Sequence, residues 1–176
     1  MTPEIEKSGL HATTIALRER GVMIMGESGT GKSELALTLI ERAALQGKKA
    51  ALVADDRTLL KLEGSQLIAR APANLAGGVE IRGAGLFSVE YVAQIALDLV
   101  VTLVEKAQAE RYPSGQTWRF ENIAIPQLFL PSLLSNGDSN ALSRAIEAFL
   151  FYPPWPTGST KPDEVRNLPN NRKTML

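Results

Sequence analysis

The sequence predicts an α/β fold built round a phosphate-binding loop, and three observations carry that reading. Gly26-Glu27-Ser28-Gly29-Thr30-Gly31-Lys32-Ser33 satisfies the pattern G-x-x-x-x-G-K-[ST] at every fixed position. The apolar run 22–25 leads into it, and residues 33–45 follow with Leu35, Leu39 and Ala43 on one face of a helix, so the loop has its required strand and helix on either side. Farther on, Ala50–Ala54 is a continuous apolar run of strand length that ends abruptly in Asp55-Asp56. Such a run suits a strand buried on both faces, and charges at its carboxyl end face a site.

The remaining elements follow in chain order. Residues 11–17 read as a strand, Arg18-Glu19-Arg20-Gly21 as a polar turn, and 22–25 as the strand entering the loop. The helix after Ser33 is expected to end near Gly47. Residues 59–62 and Gln66–Arg70 flank Glu63-Gly64-Ser65 and predict a hairpin. Pro72 and Asn74 open a loop through Gly77-Gly78, followed by the glycine-bracketed segment Val79-Glu80-Ile81-Arg82-Gly83-Ala84-Gly85. Residues 96–104 predict another strand, and 141–151 a helix with Leu142, Ala145, Ile146 and Phe149 inward and Asp138-Ser139 as its cap. Residues 1–152 are thus expected to form one domain. The segment 153–176 carries Pro153, Pro154, Pro156, Pro162 and Pro169 among polar residues and reads as an extended or disordered tail.

Composition limits the function. At 176 residues the chain supports one sizeable core. Nineteen Lys plus Arg balance nineteen Asp plus Glu, so no global basic field exists to hold nucleic acid or an anionic membrane surface. There is no cysteine, which excludes disulfides and thiolate metal sites and suits a reducing, cytoplasmic setting. The amino terminus lacks the basic start and apolar run of a signal peptide. The longest apolar stretch, 95–104, is broken by Asp98 and Thr102 and falls short of the ~20 residues of a membrane span.

The loop makes ATP or GTP the first ligand to consider: its backbone N–H groups cradle phosphate, Lys32 neutralises the outer phosphates, and the Ser33 hydroxyl suits Mg²⁺. Mg·nucleotide chemistry calls for an acid beyond Ser33 at the end of a neighbouring strand, with Asp55, Asp56 and Glu80 as candidates. Two adjacent aspartates can divide the work, one steering the metal and one taking a proton; a polar strand exit with one carboxylate capping local amides is the plainer alternative. His11 is the only histidine, and a lone strand histidine is more often structural than catalytic. Arg82 and Arg111 offer planar guanidinium forks for phosphate oxygens. Trp118, Phe120 and Trp155 fit core or interface better than base stacking in a neutral chain. No N-K-x-D segment and no L-S-G-G-Q stretch is present, which disfavours a GTPase and a transporter ATPase.

Taken together, the histidine strand, the loop followed by Glu34, the strand ending Val53-Ala54-Asp55-Asp56, and Glu80-Ile81-Arg82-Gly83-Ala84-Gly85 resemble the catalytic domain of HPr kinase/phosphorylase over roughly residues 10–131. The family's separate amino-terminal domain has no counterpart here, so the resemblance is to a short, catalytic-domain form. It implies a phosphate-loop kinase domain similar to the nucleotide core of phosphoenolpyruvate carboxykinase. The implied activity is transfer of a phosphoryl group from ATP to a serine of the phosphocarrier HPr or a paralogue, with a reverse, phosphate-dependent reaction. By resemblance, residues Gly26, Glu27, Ser28, Gly29, Thr30, Gly31, Lys32 and Ser33 bind nucleotide, and Ser33 and Glu80 hold Mg²⁺. Asp56 matches the proton-shuttling carboxylate with Asp55 beside it, and His11 and Arg111 match active-site residues. A homo-oligomer, commonly a hexamer, is also implied. The chain departs from the family after Pro131, where Ser132-Leu133-Leu134-Ser135-Asn136-Gly137-Asp138 stands in place of a glycine-arginine segment tied to the reverse reaction. A small-metabolite kinase and an ATP-sensing module with little turnover are the alternatives.

Overall fold

The computed structural model describes residues 9–155. Within them lie ten strands and two α-helices: β1 (Ala12–Leu17), β2 (Arg20–Met25), α1 (Lys32–Leu45), β3 (Ala50–Ala54), β4 (Leu59–Glu63), β5 (Gln66–Arg70), β6 (Gly78–Ile81), β7 (Gly85–Ser88), β8 (Gln94–Val104), β9 (Thr117–Phe120), β10 (Ile123–Pro131) and α2 (Ser139–Phe151). The tail expected from the sequence lies, over 156–176, outside the described residues.

The main sheet runs β3-β1-β2-β8-β10-β9. β2, β8 and β10 are mutually parallel, whereas β1 runs antiparallel to both β2 and β3, and β9 antiparallel to β10. The strand that supplies Asp55 therefore stands one antiparallel strand away from the strand that feeds the loop, with both carboxyl ends on the same edge. The α/β class holds, as a mixed rather than all-parallel sheet.

Alternation along the strands builds two cores. Ile15, Val22, Ile24, Leu99 and Val101 face α1 and α2, meeting Leu35, Leu39 and Ile146. Met23, Val100, Leu60, Leu67 and Ile125 form the opposite layer, beneath the β4–β5 hairpin and against Trp118 and Phe120, whose rings stack at 6.0 Å. Full burial of each aliphatic side chain contributes roughly 1.5–3 kcal/mol, which is what holds helices and hairpin to the sheet.

β8 is the axis of this arrangement. Its start pairs antiparallel with β5, and its remainder lies parallel to β2 and β10. Between them Asp98 is an inserted residue, since Gly21 pairs with Leu97 but Val22 with Leu99. This bulge reverses the alternation, turning Leu97 to the second core and Leu99 to the first. The buried Asp98 carboxylate accepts from the Gly21 N–H at 3.0 Å and from Arg20 Nη1 at 3.1 Å. Position 21 must be glycine, because a Cβ there would sit 2.2 Å from the Ala96 carbonyl oxygen.

Several boundaries differ from the sequence reading for physical reasons. Arg18 and Glu19 alone form the β1–β2 turn, Arg18 taking a left-handed φ of 57°, so β2 starts two residues earlier than expected. β3 lies at the end of the main ladder rather than inside it, its outer side covered by Val92, whose N–H donates to Leu52 O at 2.9 Å. The glycine-bracketed segment is a hairpin, β6–β7. α2 buries Leu142, Ser143, Ile146 and Glu147, and leaves Ala145 exposed, because Glu147 turns inward to meet Arg42 Nη2 at 2.9 Å. That hydrogen bond holds the Arg42 guanidinium above its ordinary pKa.

Candidate functional site

The loop is shaped by its glycines and closed by the segment after β10. Gly31 caps α1 at φ 100°, and a Cβ there would lie 2.5 Å from Leu133. The Leu133 N–H donates to Thr30 O at 3.0 Å, and Thr30 Oγ1 donates to Glu27 O at 2.8 Å. The loop's backbone is thus braced, with the amino end of α1 facing its hollow, an arrangement suited to anions.

Lys32 lies inside this frame, only 5% exposed. Its Nζ donates to Gly26 O at 3.1 Å and Glu27 O at 3.0 Å, and lies 3.0 Å from His11 Nε2. Burial lowers its pKa from the ordinary lysine value, opposed by the charges of Asp56 and Asp55. An ammonium has only donors, so His11 Nε2 accepts, and the ring proton sits on Nδ1. From there it donates to the Asp56 backbone carbonyl at 3.2 Å, with the carboxylate oxygen Oδ1 3.1 Å from the same nitrogen. Hydrogen bonds thus run from Lys32 through His11 to the Asp56 backbone, with the Asp56 carboxylate beside the ring.

The two aspartates occupy different worlds. Asp55 is buried, and its Oδ1 accepts from Thr13 Oγ1 at 2.9 Å and Ser33 Oγ at 2.7 Å, while Oδ2 accepts from the Glu80 N–H at 3.1 Å. It ties β1, the loop and the β6–β7 hairpin together. Asp56 has a left-handed φ of 59° and a side chain 73% exposed, so it stands at the rim. Among the described residues no cluster of three His, Cys, Asp or Glu side chains forms a metal cage. The donor set is Ser33 Oγ with Asp55 and Glu80 close by, which suits a Mg²⁺ ion that brings phosphate oxygens and water as its other ligands.

A cleft of about 370 Å³ opens here, lined by the loop's Ser28, Gly29 and Gly31, by Lys32 and Ser33, and by Asp56, Glu80 and Arg82. Of the residues expected at the site, the structure brings together the loop, His11, Lys32, Ser33, Asp55, Asp56 and Glu80. Arg111 is elsewhere: it borders a separate hollow of about 230 Å³ with Phe129 and Phe149, its guanidinium 5.5 Å from the Tyr112 ring centroid. Glu110 ties that loop by accepting from Ser114 and Gln116. Two participants escaped the sequence reading. Thr13, on β1, lies two residues after His11, which immediately precedes that strand, and period-two alternation in the expected strand 11–17 was a usable signal for it. Leu133, on an irregular segment, gave none.

The family described as HPr Serine kinase C-terminal domain matches residues 5–148 of the chain. HPr kinase/phosphorylase of Levilactobacillus brevis is 33% identical over 139 residues, which are 72% of this chain and 42% of that protein. The Caldicellulosiruptor bescii protein of the same name is 32% identical over 133 residues, 69% of this chain and 41% of the relative. The chain therefore spans about two fifths of the length of these curated relatives. Among solved structures, the Hpr(Ser) kinase/phosphatase from Coxiella burnetii superposes with a TM-score of 0.69 at 28% identity, covering 82% of this chain and 91% of that one.

Proposed function

The chain belongs to the HPr serine kinase C-terminal domain family, and from that premise we propose that it transfers the terminal phosphoryl group of ATP to a serine hydroxyl on an HPr-like phosphocarrier protein. The observation that carries this reading is that His11 stands between a phosphate-binding ammonium, 3.0 Å from its Nε2, and an exposed carboxylate, 3.1 Å from its Nδ1.

In this reading the loop amides of residues 26–33 and Lys32 hold the phosphates. Ser33 and Glu80 hold Mg²⁺, with Asp55 fixing the Ser33 hydroxyl; the ion, when bound, neutralises charge on the phosphates. Asp56 accepts the serine proton as the oxygen attacks the terminal phosphorus and ADP departs. His11 positions Asp56 and keeps it in register with Lys32. Its open, rim-side exposure favours a hydroxyl presented by a protein over an enclosed small metabolite. Arg111, exposed on its own tied loop, fits a contact to the carrier protein rather than to nucleotide.

The forward reaction is favoured over phosphate-dependent dephosphorylation. In the segment after Pro131, Leu133 packs on Gly31 and no cation enters the cleft from it; Arg119 and Arg144 do not line the cleft either. Crowding free phosphate, phosphoserine and Mg²⁺ into one site calls for more cationic donors than this. A cytoplasmic homo-oligomer, as large as a hexamer, completes the proposal; among the described residues no helix is long and apolar enough to cross a membrane. Purified chain incubated with labelled ATP, Mg²⁺ and candidate carriers tests it: label on a carrier serine supports the kinase, label on a small hydroxyl compound alone supports a metabolite kinase, and ATP binding without transfer supports a sensor.

A further inference from the structure

We propose that Arg82 is a phosphate-clamping arginine supplied in cis, gripping the terminal phosphate of a nucleoside triphosphate from the Gly29 side of the loop while Lys32 reaches it from the side of Gly26 and Glu27. The inference rests on the phosphotransfer reading and extends it to a residue that reading leaves without a role.

The geometry is specific. Arg82 sits in the turn between β6 and β7, closed by the Ala84 N–H donating to Ile81 O at 2.9 Å. The hairpin is anchored at Val79, buried in the helix-side core, and at Glu80, whose N–H donates to Asp55 Oδ2. That same Asp55 holds Ser33, so the turn is registered to the loop through one carboxylate. From this turn the Arg82 guanidinium reaches over the loop, Nη2 lying 3.4 Å and Nη1 3.9 Å from where a Cβ on Gly29 would be.

Arg82 is also unspent. Arg20 and Arg42 are paired with Asp98 and Glu147, and Arg18 and Arg111 lie over the rings of Phe151 and Tyr112. Arg82 makes no hydrogen bond, ion pair or ring contact with any described residue, although Glu80 lies two positions away on the same hairpin. Among the described residues, Lys32 is the only other cation lining the cleft. A planar fork of donors beside an anion-binding loop matches two oxygens of one phosphate. During transfer negative charge spreads over the equatorial oxygens, so such a fork contributes more in the transition state than in the ground state.

The test compares wild type, Arg82→Ala and Arg82→Lys for affinity to Mg·ADP and to a non-hydrolysable Mg·ATP analogue, and for single-turnover transfer. Arg82 is exposed and unpartnered, so the variants keep the fold, which circular dichroism verifies. The expected result is Mg·ADP affinity within about twofold of wild type, analogue affinity at least about tenfold weaker, and transfer slowed by about 10²-fold or more, with lysine restoring only part. Equal effects on both nucleotides, or full activity in Arg82→Ala, would overturn the proposal. If wild type prefers the triphosphate analogue through Arg82 yet labels no serine, the kinase reading fails and the clamp stands; if wild type binds neither nucleotide, both fail.

Discussion

Replacing Asp56 by Asn keeps the size of the side chain and removes its proton-accepting oxygen, together with a charge that supports the Lys32 ammonium. Its left-handed φ of 59° is one that Asn tolerates as readily as Asp. His11 Nδ1 donates to the Asp56 backbone carbonyl at 3.2 Å, which the substitution leaves in place, so the His11–Lys32 bond survives. No loop amide or Ser33 hydroxyl depends on Asp56, and nucleotide affinity should therefore be retained. What is lost is proton acceptance from the attacking serine, worth about 10²–10⁴ in rate, or about 3–5 kcal/mol of barrier. Asp55→Asn behaves differently. Its Oδ1 accepts from two hydroxyls and Oδ2 from the fixed Glu80 N–H; an Asn that keeps the latter turns its NH2 to the hydroxyls, leaving the buried Thr13 O–H without its acceptor. About 1–3 kcal/mol of stability and much of the Mg·nucleotide affinity should go with it. Single-turnover transfer from labelled ATP, with nucleotide binding measured separately, distinguishes the two. If Asp55→Asn keeps binding but loses transfer while Asp56→Asn stays near wild type, the two roles are reversed and the geometric reasoning is wrong.

Further outcomes follow from individual contacts. Lys32→Met should abolish transfer without lowering the melting temperature, because burial already opposes the charged form of Lys32. The lowered pKa means the folded state holds fewer protons at this site than the unfolded chain, so stability contributed here rises with pH between the two pKa values; activity, which needs the ammonium, falls over the same alkaline range. A pH titration of melting and rate should show opposite slopes there, and coincident slopes would contradict the assignment. Glu147→Ala strands Arg42 between α1 and α2 and should cost about 2–3 kcal/mol in denaturant melts with nucleotide affinity unchanged, since the pair lies outside the cleft. Phosphate-dependent dephosphorylation should be weak or absent beside measurable forward transfer in the same preparation; comparable rates would show that the missing arginine after Pro131 is irrelevant or replaced.

The phosphate loop was legible because its chemistry is local: glycine positions, one lysine and one serine, between a run and a periodicity that flank it. Asp55-Asp56 was legible as a pair with divided work, but not which carboxylate is buried, since only the left-handed turn at Asp56 sends one inward and the other to the rim. The strands β9 and β10 went unread because Pro126 and the turn at Glu121 interrupt their pattern. Pro126 sits where β10 stops pairing with β9 and Gln127 begins pairing with β8, so its missing N–H leaves no ladder bond unmade. The inner face of α2 was misjudged since apolar periodicity favoured Ala145 over Glu147, and only the position of Arg42 on a helix remote in sequence selects the acid. Arg111 was placed at the site by resemblance, and its actual distance from the cleft depends on a loop tied by Glu110, which periodicity does not encode.

The central claim is tested most directly by mixing the purified chain with labelled ATP, Mg²⁺ and an HPr-like phosphocarrier, beside a carrier whose acceptor serine is alanine. The account predicts label on the intact carrier alone, lost when Lys32→Ala replaces wild type and reduced by orders of magnitude with Asp56→Asn. Label reaching the alanine carrier equally, or nucleotide bound tightly with no carrier labelled under any condition, would contradict it.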